Sequence, residues 1–282
     1  MKHLATFLAL FIHLVVGAQT FVEITGAGNP LDGFDVGSES DPSFADLDGD
    51  GDLDMISGEN DGVFNWYENT GTPTAPVFVA RTASDIGLGA DVGSDNKMEL
   101  IDIDGDGDYD LFCGEDDGNM NYFENVGTTL APSFVQRTGS GANPNPMDGV
   151  DVGEDSNPTF ADWDNDGDYD LLIGEDGGTI FYYENTGTST APVFTARTGA
   201  ANPVDFIDIG DEAAPGFVDM DNDGDLDLVV ADDGADFSYF ENTGTTSAPV
   251  YVERTGAANP LNGFTPDTAP TLTYVDIDGD GD

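Results

Sequence analysis

Residues 46–54 read Asp-Leu-Asp-Gly-Asp-Gly-Asp-Leu-Asp, with carboxylates at loop positions one, three, five, seven and nine. The frame recurs at Asp102, Asp104, Asp106, Asp108 and Asp110, and again at Asp162, Asp164, Asp166, Asp168 and Asp170. A fourth copy is Asp219, Asp221, Asp223, Asp225 and Asp227, and a fifth stops after Asp276, Asp278 and Asp280, before its ninth position. Alternate side chains on a tightly turning loop converge on one point, and Gly at position six permits the turn. Hard cations such as calcium take six to eight oxygens at about 2.3–2.6 Å. Position seven of such a loop ordinarily offers its backbone carbonyl, so Asp52, Asp108, Asp168 and Asp225 are expected to contribute main chain rather than carboxylate. The other reading is a solvated acidic turn. Four intact copies in one frame argue against it, as does charge, since two unit charges about 5 Å apart repel by about 0.8 kcal/mol even in bulk water. A divalent ion reverses that sign.

The loops hold no His and, within the nine positions, no Cys, which disfavours transition metals. The number of carboxylates disfavours magnesium. An EF-hand requires an acid at position twelve, where this chain has Ser57, Cys113, Ile173 and Val230. The expectation is therefore calcium, about one ion per complete repeat, with a weak or empty fifth site.

The elements that position these loops follow from the repeat, whose unit is about 57 residues. Each Asp loop is followed by an apolar run such as Asp170-Leu171-Leu172-Ile173-Gly174, then an aromatic stretch ending in Glu-Asn, as in Tyr182-Tyr183-Glu184-Asn185. Ala-Pro then leads into a last run such as Phe194-Thr195-Ala196-Arg197. Four short runs punctuated by Gly, Asn, Asp and Pro are strand signals. Four antiparallel strands at this repeat length point to β-propeller blades, since a sandwich domain needs about 100 residues. The expected fold is all-β, four complete blades and a truncated fifth in an incomplete ring. The repeat units run roughly 21–77, 78–133, 134–193, 194–250 and 251–282. Residues 20–25 resemble the last strand of a unit and could pair with a final blade. With only one strand of the last copy present, the sequence reads as a fragment of a longer chain.

The frame Asp-x-Asp-x-Asp-Gly-x-x-Asp-Leu between two strands resembles the FG-GAP, or VCBS-type, calcium-binding repeats of integrin α-subunit propellers and many secreted bacterial proteins. The resemblance covers the chain from about residue 20 onward. It implies calcium held in the loop joining the first and second strands of a blade. The Phe-Gly and Gly-Ala-Pro flanks of the integrin version are absent, which places the likeness nearer the bacterial secreted type.

Composition narrows function. There are 57 acidic residues against 6 basic ones, a formal net charge of −51, and repulsion opposes nucleic acid and anionic membrane surfaces as partners. Lys2, an apolar run from Leu4 to Val16 and a small-residue site at Val16-Gly17-Ala18 read as a signal peptide over 1–18, cleaved after Ala18. The remainder, 19–282, is then a secreted or cell-surface repeat array without membrane insertion. Cys113 is the lone cysteine, so no intrachain disulfide can staple it.

No catalytic constellation stands out. Both histidines, His3 and His13, lie in the leader, and Glu59, Glu115 and Glu175 read as polar hairpin residues. Arg81, Arg137, Arg197 and Arg254 are expected to pair with nearby acids, such as the Glu of Glu-Asn. The aromatic runs read as core before they read as a sugar platform. The expected role is a non-catalytic binding or adhesion module for an extracellular glycan or protein. The variable links, roughly 26–42, 82–97, 139–157, 199–214 and 255–269, would meet the ligand on the face opposite the calcium loops. Alternatives are a secreted polysaccharide lyase or hydrolase, in which Tyr, Arg or Lys97 could act, and a purely structural surface repeat.

Overall fold

The computed structural model describes residues 21, 24 and 26–277, apart from 90, 140, 142, 235 and 265–270. The leader, most of the 20–25 segment, Asp278 and Asp280 lie outside the described residues.

Four sheets form, each a four-stranded antiparallel meander in chain order. The first comprises β1 (Asp41–Ala45), β2 (Asp54–Gly58), β3 (Asn65–Asn69) and β4 (Phe78–Arg81), and the second β5 (Lys97–Ile101), β6 (Asp110–Gly114), β7 (Met120–Asn125) and β8 (Phe134–Arg137). The third comprises β9 (Asn157–Ala161), β10 (Asp170–Gly174), β11 (Ile180–Asn185) and β12 (Phe194–Arg197), and the fourth β13 (Ala214–Val218), β14 (Asp227–Ala231), β15 (Phe237–Asn242) and β16 (Tyr251–Arg254). The only helical pieces among the described residues are short 3-10 turns before or between blades. The sheets straddle the sequence units: the second, third and fourth units each begin on the outer strand of one blade and end after the third strand of the next.

The blades stand in a ring with their first strands innermost. β5 packs between β1 and β9, and β9 between β5 and β13. Neighbouring blades are also hydrogen-bonded, Leu100 N–H donating to Ser43 Oγ at 2.9 Å and Met98 N–H to the Asp41 carboxylate. The gap expected in an incomplete ring is occupied by the described part of the fifth copy. Leu272 and Tyr274 pack beside Gly216 of β13, Thr273 Oγ1 donates to the Pro42 carbonyl of β1, and Ile277 packs against the first blade.

Burial explains the strand sequences. Second strands are buried throughout, as in Asp170–Gly174, which has a blade on each face, and Asp227–Ala231, which has a blade on one face and Leu272 and Tyr274 on the other. Outer strands bury only part of their length, β4 having a buried Phe78 and exposed Ala80 and Arg81. Aliphatic and aromatic side chains between blades form the core, for example Phe112 stacked on Tyr122 with centroids 4.7 Å apart. The second strand ends in Gly58, Gly114 and Gly174 because the next blade's incoming link crosses there. A Cβ would stand 2.2 Å from the Asn96 carbonyl, 1.9 Å from that of Ser156 and 1.9 Å from that of Ala213. The fourth blade has Ala231 at this place.

The Glu-Asn signature has two structural uses. The asparagine side chain staples the third-to-fourth turn, Asn125 Oδ1 accepting Gly127 N–H at 3.1 Å and Ser133 N–H at 2.8 Å. Asn69, Asn185 and Asn242 do the same in their blades. The glutamate pairs with the arginine ending the fourth strand, as expected: Glu68 with Arg81 at 2.6 Å, Glu184 with Arg197 at 2.7 Å, Glu241 with Arg254 at 2.8 Å, and Glu124 with Arg137.

Replacing Asn125 with Ala leaves two amides without their acceptor and is expected to cost about 2–4 kcal/mol, at about 1–2 kcal/mol per lost bond. Urea unfolding in calcium measures this, and a loss below about 1 kcal/mol would contradict the staple.

Candidate metal centres

Each Asp loop bridges the first and second strands of its blade, with the ninth aspartate as the first residue of the second strand. The loop is wound by its own side chains. Asp46 accepts Gly49 N–H at 2.7 Å and Gly51 N–H at 3.1 Å, Asp48 accepts Asp50 N–H at 3.2 Å, and Asp50 accepts Asp52 N–H at 3.1 Å. Equivalent bonds wind the other loops, such as Asp102 to Gly107 N–H at 3.2 Å and Asp219 to Gly224 N–H at 3.0 Å. Two positions adopt left-handed backbone. Position six is always Gly, with φ of +91° to +96°. Position four is Gly49, Gly105, Asn165 or Asn222, with φ of +58° to +72°, the residue types that tolerate this region. Only position six was recognised from the sequence, although the Gly/Asn alternation at position four carried the same signal.

This winding brings together carboxylates one, three and five. In Asp46-Asp48-Asp50, Asp102-Asp104-Asp106, Asp162-Asp164-Asp166 and Asp219-Asp221-Asp223, the candidate ligand atoms lie within 4.8 Å of one another. The ninth aspartates stand outside these triplets, at the base of the loop, only 1–2% exposed. Asp110 Oδ1 accepts Asn125 N–H at 2.7 Å and its Oδ2 accepts the Tyr122 hydroxyl at 3.0 Å. Asp54, Asp170 and Asp227 accept the amides of Asn69, Asn185 and Asn242 at 2.7–2.8 Å. Tyr182 and Tyr239 repeat the hydroxyl bond. In the first blade Trp66 takes the tyrosine's place, and Asp54 Oδ2 accepts Leu47 N–H at 3.1 Å, a bond that the fourth blade also makes, from Met220 N–H to Asp227 Oδ2 at 3.1 Å. The ninth carboxylate thus joins the Asp loop, the third strand and, through the asparagine staple, the fourth.

Position seven is more enclosed than the rest of the loop rim. Asp52 and Asp108 are buried, and in Asp52, Asp108 and Asp168 one carboxylate oxygen is buried without a hydrogen-bond partner. Asp102 and Asp221 each hold another such oxygen. Every complete loop therefore contains at least one buried carboxylate oxygen lacking a donor, an arrangement that costs free energy unless a cation meets it. With three converging carboxylates, oxygen-only donors and no competing cationic side chain in the loop, the residues fit a hard divalent ion. Of the fifth copy, Asp276 is described, whereas Asp278 and Asp280 lie outside the described residues.

The titration of these groups records the same frustration. Burial, opposed by the amide bonds, pushes Asp54 and Asp170 up to about 7, Asp110 to about 8 and Asp227 to about 6. Burial and then the neighbouring Asp50, Asp106 and Asp166 raise Asp52, Asp108 and Asp168 to about 6. The third-position acids Asp48, Asp104, Asp164 and Asp221 are raised by the same two causes.

Two residues near the ring axis carry separate chemistry. Lys97, 1% exposed, holds its ammonium 2.7 Å from Asp95 and 3.6 Å from Glu212. Burial works against its charge, but Asp95 outweighs it and the ammonium sits above the usual lysine range. Glu99 lines the axial cavity, and burial followed by Asp41 raises it to about 8. Two of the hairpin acids bond within their own turns: Glu115 accepts Asn119 Nδ2 at 2.5 Å, and Glu175 accepts Gly177 N–H at 2.9 Å.

Residues 102–173 match the family model described as FG-GAP-like repeat. That span holds the two complete loops 102–110 and 162–170. No curated protein matches the chain in sequence. An Agrocybe aegerita lectin, solved for its specific recognition of non-reducing terminal N-acetylglucosamine, aligns over 76% of this chain at 19% identity and a TM-score of 0.44. The Photorhabdus luminescens Tc holotoxin pore aligns over 77% at 18% identity and a TM-score of 0.35. This chain spans 52% of the first structure's length and 10% of the second's.

Calcium is expected to raise the melting temperature by about 10 °C or more over chelator. At 100 times Kd each native-only site adds about 2.7 kcal/mol, and 1 kcal/mol shifts a domain of this size by about 2–4 °C. Equal melting points would refute a structural ion. The chelated protein should also respond to pH. The folded carboxyls lie above the ordinary value near 4, so their contribution is fully present below about pH 4 and is lost as pH rises through about 6 to 8. Melting temperature in chelator should fall across that window and flatten in calcium. A rise with pH in chelator would contradict the assignment.

Proposed function

We propose that this chain is a calcium-stabilised β-propeller acting outside the cell as a non-catalytic binding module for a glycan or protein. The observation that carries the reading is the repetition of one carboxylate-lined loop in four blades of the ring, each loop holding at least one buried carboxylate oxygen without a donor. Calcium on this reading neutralises the loops and fixes the blades that carry the binding surface. When bound, it would supply charge compensation and oxygen coordination from the first, third and fifth aspartates. The sixth-position glycine lets the chain turn around it, and the ninth aspartate transmits the loop's geometry to the third strand.

The leader-like segment supports an extracellular setting, where calcium is plentiful, and no helix among the described residues is long and apolar enough to cross a membrane. A non-catalytic role for the loop acids is favoured by their symmetry, since they recur blade after blade, whereas acid–base chemistry needs a perturbed group in one place; Glu99 is the singular perturbed acid outside the loops. Lys97, the natural base for a lyase, is shielded and held as an ammonium by Asp95 and Glu212.

The direct test is an array of glycans and extracellular proteins probed with and without chelator, beside a degradation assay on the polysaccharides retained. Calcium-dependent retention without soluble product is expected. Release of unsaturated oligosaccharides would overturn the non-catalytic reading.

A further inference from the structure

Three cavities recur at equivalent places between consecutive blades. They measure about 570 Å³ between the first and second, 270 Å³ between the second and third, and 310 Å³ between the third and fourth. Four lining positions of like chemistry are common to all. One is the third aspartate of the preceding blade's loop, Asp48, Asp104 or Asp164. Another is that blade's third-strand aromatic, Trp66, Tyr122 or Tyr182. Opposite them stands the Ala-Pro of the following blade's turn, Ala131-Pro132, Ala191-Pro192 or Ala248-Pro249.

The recurrence has a sequence cause. Alanine at the turn is exposed and leaves the mouth open, and the following proline fixes the wall. Next to it Val193 and Val250 are 55% and 56% exposed, and at the first junction Leu130 is 69% exposed. Aliphatic side chains therefore rim an opening on a chain of net charge −51. The links contribute the remaining wall, through Ile86, Pro144 and Pro203, so the ligand region expected on the links reaches the calcium side at these junctions.

A proline and aliphatic wall, backed by the buried ring of Tyr122 or Tyr182 or the half-buried Trp66, faces a carboxylate and combines an apolar surface with hydrogen-bond acceptors. A sugar ring has the matching character, with a C–H face and hydroxyl donors. The two smaller cavities lie near the lower end of the 300–1,000 Å³ range of small-ligand pockets, room for a single ring and too little for a folded peptide. The acidic surroundings repel uronates and sulfated sugars. We propose that each junction cavity takes one neutral sugar ring of a glycan, so that one chain engages a branched or repeating glycan at up to three points. This rests on the binding-module reading and assigns its site. Linked sites gain avidity without new contacts, which suits shallow individual pockets.

The test fills the mouths. Ala131→Trp, Ala191→Trp and Ala248→Trp, alone and together, are measured in calcium against arrays of neutral glycans and of peptides, with melting temperature confirming the fold. Single variants should lose about two- to threefold in apparent affinity and the triple variant at least about tenfold. Should the triple variant not fold, wild-type protein labelled with a photoreactive analogue of the retained glycan serves instead, with crosslinks expected within 130–132, 190–193 and 247–250. A folded triple variant that binds neutral glycans undiminished, or crosslinks elsewhere, overturns the junction sites and leaves the binding-module reading standing. Retention of peptides but no neutral glycan overturns the sugar assignment alone. Retention of neither by wild-type protein overturns both.

Discussion

The ninth aspartate of each loop is the constraint on which the blade depends. Its buried carboxylate accepts the amide at the end of the third strand, and that same residue's side chain holds the third-to-fourth turn. One carboxylate thereby fixes the loop before it and the two strands after it. The arrangement brings negative charge into the base of a loop that already gathers three more carboxylates within 4.8 Å. At that spacing each pair repels by about 0.9 kcal/mol in bulk water, and by more in the protein. The blade must take up either protons or a cation. The raised carboxyls describe the first answer, and the buried oxygens without donors describe the second.

Much of this was legible in the sequence because propeller blades repeat. The aspartate frame, the four strand runs and the Glu-Asn signature recur in register, and the resemblance to FG-GAP repeats implied the loop's place between the first two strands. Pairing of Glu184 with Arg197 could be anticipated from opposite charges on adjacent strands. What could not be read was tertiary. β1 and β5 begin at Asp41 and Lys97, polar residues that hydropathy assigns to a loop but that the axis of the ring accepts. Ser43 and Glu99 follow on the same inner side. The glycine ending each second strand looks like turn punctuation, yet its cause is the close approach of the next blade's link. The junction cavities belong to two blades at once, so no single repeat displays them.

Departures from the repeat are equally informative. Trp66 stands where Tyr122, Tyr182 and Tyr239 donate to the ninth aspartate, so Asp54 keeps the loop and third-strand amides without the hydroxyl. Lys97 is found only in the second blade, and its ammonium ties Asp95 to Glu212 on another blade's link, across the mouth of the ring. Residues 271–277 fill the space between the first and fourth blades with a single segment where the others place a sheet. The repeated parts handle the ion, and these single substitutions adjust how the ring is held.

The central claim is that every complete loop is a calcium site. Native mass spectrometry of the metal-stripped chain titrated with calcium, with magnesium as the comparison, counts the ions directly. The account predicts four calcium ions filling before any further adduct, and no matching series with magnesium. A protein that takes up no calcium, or takes up magnesium equally well, would contradict it.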